Sequence, residues 1–143
     1  MTGVQTCALP IWEYLATELR QHPLVAVIGD FNIAPEDRDV HDPKAWDGQV
    51  LVSAAERAAL TGICGLGLTD VFRRFEQPER SFTWWDYRAM AFRRKAGLRI
   101  DLILTSEALA SRCVGCTVEV EPRRWERPSD HAPVVASFDL GDA

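Results

Sequence analysis

The sequence predicts one α/β domain built as a layered sandwich, and three observations predict it. Helical and strand patterns alternate through the first half, and short apolar strands then cluster in the second. That order suits packed layers better than a doubly wound sheet. The 143 residues are enough for one domain with a real core. No Gly-x-Gly-x-x-Gly or phosphate-loop motif marks a nucleotide-binding Rossmann or P-loop fold.

Taken in order, the elements read as follows. Residues 1–11 carry no charge and no clear period. They resemble one translated frame of a sequencing-library adapter, so they read as a non-native segment and are set aside. The domain proper is expected over residues 12–140, with a tail at 141–143. Trp12, Leu15, Ala16 and Leu19 recur at helical spacing, giving a helix over 12–20 that Pro23 stops. Leu24–Ile28 is a wholly apolar, β-branched run, as expected of a strand covered on both faces. Residues 34–50, with Pro35, Pro43 and Gly48, read as a long loop. Ser53-x-x-Glu56 is a capping box opening a helix over 54–60 that Gly62 closes. Leu68, Val71, Phe72 and Phe75 give a second short helix after Asp70 or Thr69, and Ser81–Tyr87 reads as a strand. A basic loop covers 90–97, a strand 99–105, and a helical turn follows Ser106. Cys116–Val120 reads as an edge strand, Pro122–Ser129 as a polar loop, and Pro133–Leu140 as the last strand.

Composition is ordinary for a soluble globular protein, at 47% hydrophobic and 26% charged residues. No run approaches a membrane span, and the net charge of −5 argues against polyanion binding by the whole surface. The average hides an asymmetry. From Arg73 to Arg99, eight basic residues face three acidic ones, and four aromatic residues lie between Phe82 and Tyr87. Such a stretch is either a nucleic-acid face or a solvated arginine-rich loop. Four cysteines (Cys7, Cys64, Cys113, Cys116) form no disulfide framework. The Cys113-x-x-Cys116 pair stands without a second pair or a nearby ligand histidine, so strand-end packing in a reducing cytoplasm is expected.

The chemistry lies at strand ends. Gly29-Asp30-Phe31-Asn32 follows one apolar run, Ser129-Asp130-His131 precedes another, and Asp101 interrupts a third, Ile100–Leu104. If the strand extends through Asp30 and Asn32 they share one side; the alternative is a turn closed by the aspartate side chain. Asp101 should not lie in an apolar run without a partner. A histidine is the natural one, since a carboxylate fixes the imidazole tautomer. His131 is the candidate, because His22 and His41 lie in loops. Phosphodiester hydrolysis needs an activated water, neutralised phosphoryl oxygens and a stabilised leaving oxygen. Carboxylates and an amide suit Mg²⁺, or Mn²⁺, rather than Zn²⁺.

Four blocks carry a resemblance from about Trp12 to Leu140: Gly29-Asp30-Phe31-Asn32-Ile33-Ala34-Pro35, Phe82-Thr83-Trp84-Trp85-Asp86-Tyr87-Arg88, Gly97-Leu98-Arg99-Ile100-Asp101-Leu102-Ile103-Leu104 and Pro128-Ser129-Asp130-His131-Ala132-Pro133-Val134. The chain resembles the exodeoxyribonuclease III family of the endonuclease/exonuclease/phosphatase superfamily, over the C-terminal half of the usual domain. The first and last blocks belong to the whole superfamily, and the middle two are more specific to its DNA-repair branch. The resemblance implies a partial four-layer α/β/β/α sandwich lacking its N-terminal half, with an apolar sheet face left exposed. It implies a DNA-repair hydrolase with 3′-5′ exonuclease and abasic-site endonuclease activity in the parent enzyme, dependent on Mg²⁺. The truncated chain is expected to be inactive. By resemblance, Asp30 is the general acid/base and Asn32 steadies the transition state. His131 contacts the scissile phosphate, with Asp101 orienting it. Asp130 helps hold the metal, together with Asp30 and Asn32. Trp84 and Leu98 line a pocket for an extruded abasic sugar, and Arg88 contacts substrate. The family's N-terminal asparagine, metal-binding glutamate and catalytic tyrosine have no counterparts in this sequence. Double-stranded DNA with abasic sites or 3′ ends is the expected partner, no membrane is involved, and the protein is expected to be a cytoplasmic monomer. The alternatives are another metal-dependent phosphodiesterase or phosphatase of the superfamily, or a DNA-binding fragment without catalysis.

Overall fold

The computed structural model describes residues 3–141. The ends of the set-aside segment and of the tail (1–2 and 142–143) lie outside the described residues. Helix α1 spans Gly3–Gln21 and contains Pro10. It therefore starts inside the stretch for which the sequence offers no period. The anchored half carries Leu15, which is buried, and Leu19. Once that half is nucleated, each further turn costs little. Strand β1 is Ala26–Asp30, and a single turn, α2, spans Pro43–Trp46 with Asp42 accepting from the Ala45 amide. Helix α3 is Ala54–Cys64, opened by the expected reciprocal box between Ser53 and Glu56. It passes Gly62, because Leu60 and Ile63 are core residues one turn apart.

Strand β2 (Leu68–Asp70) pairs with β3 (Asp101–Ser106), and β3 pairs with β1, all antiparallel, giving the order β1-β3-β2. The short helix expected after Thr69 or Asp70 is a 3-10 turn at Val71–Arg74, capped by the Asp70 side chain, and β2 leads into it. A turn of helix, α4 (Glu107–Ala110), leads to β4 (Cys113–Val118), which pairs with β5 (Val134–Phe138) in a second, two-stranded sheet. Residues 81–87 do not form the expected strand. The Thr83 and Trp84 amides both donate to the Leu98 carbonyl, at 2.9 Å each. A regular ladder cannot continue when two successive amides share one acceptor. Only isolated bridges remain, from Trp84 to Leu98 and to His131.

Layering follows from strand alternation. Leu102 and Leu104 point to the side covered by α1 and α3, where they pack with Leu15, Leu60, Ile63, Leu68 and Val27. Ile103 points the other way, into the second sheet, among Val71, Phe72, Cys116 and Ala136. That second sheet does not reach across β1, so Ile28 is 70% exposed, and the expected two-sided cover of this strand is not found. Two glycines of the quoted blocks are explained locally. Gly29 has φ +144°, a region that suits glycine. A Cβ on Gly97 would sit 2.4 Å from the Trp85 indole nitrogen, so the close approach of the two blocks requires its absence. Among the described residues no helix is long and apolar enough to cross a membrane.

Candidate active site

The register of the first sheet sets Asp30, the last residue of β1, directly opposite Asp101, the first of β3. His131 arrives from the loop before β5. Its Nδ1 lies 2.9 Å from Asp101 Oδ2, and its Nε2 lies 3.9 Å from Asp30 Oδ2. A carboxylate only accepts, so an ionised Asp101 places the proton on Nδ1 and turns Nε2 toward Asp30. All three side chains are partly exposed. They can therefore meet a solute while their backbones are held by the sheet. The Ser129 hydroxyl accepts from the His131 amide at 3.1 Å. A groove of about 600 Å³ runs beside the cluster, lined by Asp101, Ser129 and His131 together with Ile28, Trp125 and Pro133.

Asn32 does not share a strand face with Asp30. The strand ends at Asp30 and Asn32 has φ +52°. The Asp30 Oδ1 accepts from the Asn32 amide at 2.8 Å, which is the aspartate-closed turn named above as the alternative. Asp130 is tied in by Trp84, whose indole nitrogen donates to Asp130 Oδ2 at 3.0 Å. The Trp85 amide donates to the Asp130 carbonyl. Leu98, expected to line a pocket, is fully buried with Ala34, Val40, Val52 and Ile100, and packs with Trp84. Arg88 is exposed on a 3-10 turn, and its guanidinium is engaged by Asp86 at 2.7 Å. That hydrogen bond holds the Asp86 carboxyl below its ordinary pKa.

The basic stretch is smaller in space than along the chain. Arg99 is buried, with Nε 2.7 Å from Asp39 and a terminal nitrogen 2.8 Å from Asp70. Burial opposes the charge on Arg99, but the two carboxylates more than offset it and raise its pKa. Arg73 also pairs with Asp39, and Arg74 with Glu107. The exposed remainder is Arg80 with the 88–95 segment. Cys116 is buried and its thiol is pushed up to about 12, chiefly by desolvation and then by Cys113. That makes it an inert packing group.

Several residues that build the site were not singled out by the sequence reading. Thr83, fully buried, binds the backbone beneath Asp101. Arg123, also buried, donates to the Ser129 carbonyl and lies over Phe92, 4.8 Å from its ring centre. Both hold the loops that present Asp101 and His131. Arg99 carried a signal: like Asp101, it is a charge inside an apolar run.

Residues 11–131 match the Endonuclease/Exonuclease/phosphatase family. The chain is 38% identical over 133 residues to the exodeoxyribonuclease III of Haemophilus influenzae, covering 88% of this chain and 50% of that protein. Among solved structures, a 3′ phosphatase from Neisseria bound to a product DNA hairpin superposes with a TM-score of 0.92 and 41% identity, over 95% of this chain and 53% of that one. An AP endonuclease from Archaeoglobus fulgidus gives 0.87 and 37%, over 94% and 53%. The chain spans about half the length of the curated relatives it matches.

Proposed function

The chain belongs to the endonuclease/exonuclease/phosphatase family, and from that premise we propose that it forms part of a DNA-repair phosphodiesterase of exodeoxyribonuclease III type. The complete enzyme removes nucleotides from 3′ ends and cuts beside abasic sites in double-stranded DNA, as a cytoplasmic monomer. The observation that supports this reading is the meeting of Asp30, Asp101 and His131 at one end of the sheet. Asp101 engages Nδ1 of His131, so Nε2 is the nitrogen left to donate to a phosphoryl oxygen when the ring is protonated. Asp30 is the proton-transfer carboxylate for the water that attacks phosphorus and the 3′ oxygen that leaves. Asn32 and Trp84 hold substrate at this end, and Arg88 contributes to the exposed basic margin.

Mg²⁺ is the proposed metal. Asp30, Asn32 and Asp130 would hold it, being hard oxygen donors of the kind it takes. Among the described residues no three His, Cys, Asp or Glu side chains converge into a closed cage. Mg²⁺ keeps much of its water and binds through one or two carboxylates. When bound, it would neutralise phosphoryl charge. The chain spans only half its relatives' length, so we propose that catalysis needs the complementary half as well.

The test is substrate choice. With the complementary half of the Haemophilus relative supplied, an abasic duplex and a small phosphodiester are compared under Mg²⁺. Preferential cutting of the abasic duplex is expected. Equal or better turnover of the small phosphodiester would assign the chain to another branch of the family.

A further inference from the structure

The backbone where β3 begins is anchored by one hydroxyl. Successive amides of a regular strand point to opposite edges, yet Ile100 N and Asp101 N both donate to Thr83 Oγ1, at 3.0 and 3.1 Å. A hydroxyl oxygen has two lone pairs and can accept both. Thr83 is fully buried, so no water replaces it there. Thr83 is also fastened through its own backbone. Its amide donates to the Leu98 carbonyl at 2.9 Å, and its carbonyl accepts from Ala132, the neighbour of His131, at 2.7 Å. One residue therefore fixes the backbone under Asp101 and the backbone beside His131.

We propose that Thr83 is a positioning residue whose hydroxyl sets the aim of Asp101 at His131. The proposal deepens the nuclease reading and rests on it for the catalytic meaning of His131, but not for the geometry. Thr83 touches no reacting atom. It acts by anchoring two consecutive amides at the start of β3, so that the Asp101 carboxylate stands 2.9 Å from Nδ1. A hydrogen bond of that length is sensitive to small shifts of its backbone supports. Serine keeps the acceptor, whereas valine keeps the shape and removes it.

The experiment is proton NMR on the full chain, with histidine ring nitrogens labelled and Thr83→Val, Thr83→Ser and His131→Gln compared. A His131 Nδ1 proton bound to a carboxylate resonates far downfield, and His131→Gln assigns it. The wild type and Thr83→Ser are expected to show this signal. Thr83→Val is expected to lose it while its dispersed amide and methyl spectrum persists. A signal unchanged in a folded Thr83→Val, or absent from the wild type, overturns the proposal. If Thr83→Val does not fold, deuterium exchange decides. The amides of Ile100 and Asp101 should be slowed at least about tenfold in the wild type and Thr83→Ser, and exchange at the unprotected rate in either overturns it. Loss of the signal in Thr83→Val, with no DNA cleavage by any completed enzyme, would uphold the positioning role and reject the nuclease reading alone.

Discussion

A charge buried in an apolar run has to be answered by another charge, and this chain contains two such residues with different fates. Asp101 is answered by His131 at the surface, where the pair can act on a solute. Arg99, two residues earlier, is answered by Asp39 and Asp70 in the interior, where it can only hold the fold together. Replacing Arg99 by Ala leaves those two carboxylates without their buried partner, and such losses cost about 3–5 kcal/mol. Urea unfolding of Arg99→Ala should show a loss of that size, and a change under about 1 kcal/mol would mean that water reaches the cluster. Asp101 was legible because an acid among Ile and Leu has few structural excuses. The same logic applied to Leu98-Arg99-Ile100, but arginine also fits a basic surface loop, and counting charges along the chain put it there. Its two acids lie 60 and 29 residues away, a separation that no local window spans. Leu98 shows a related ambiguity: an apolar residue beside Gly97 serves a pocket wall or a core equally well, and here it is buried in the core.

At the scale of elements, local chemistry was readable where it was self-contained. The capping box at Ser53 forms as expected because all its partners lie within three residues. Burial raises the pKa of the Glu56 carboxyl, but hydrogen bonds from Ser53 and the Leu51 amide outweigh burial and leave it below the ordinary value. A carboxyl lowered in the folded state stabilises the fold above its unfolded pKa, and loses that contribution as the pH falls through its folded value. Ser53→Ala should therefore cost about 1 kcal/mol near neutral pH. The gap between the wild type and Glu56→Gln, followed by urea titration, should shrink as the pH drops below the carboxylate range. A gap independent of pH would remove the charge from the account. Elements defined by distant partners were less legible. Ser81–Tyr87 has strand composition, but its amides converge on Leu98 rather than forming a ladder. The apolar β1 run suggested two covered faces, and only the face toward Leu102 and Leu104 is covered. The same pattern reads identically whether or not a second layer is present.

For the molecule as a whole, that bare face is informative. Strand β1 is an edge strand, Ile28 and Trp125 are 70% and 65% exposed, and both line the groove that His131 also lines. Exposed apolar surface bordering a polar cluster marks an interaction face, and an unpaired strand edge accepts another strand. The relatives that match are about twice as long as this chain, so the expected occupant is the half that they possess and this chain does not span. Two consequences can be measured on abasic duplex DNA with Mg²⁺. The purified chain should cut no faster than its own Asp30→Asn variant, because the groups that the other half would bring to the groove are absent. Supplying the complementary half of a relative, fused or in trans, should restore cutting. In that restored enzyme, His131→Ala should then lower the rate by about 10²–10³, the range for a lost donor to developing phosphoryl charge. Cutting by the isolated chain above the Asp30→Asn level would show that these 143 residues hold a complete catalytic set. Undiminished turnover by His131→Ala in the restored enzyme would move the chemistry away from the sheet end where Asp30, Asp101 and His131 meet.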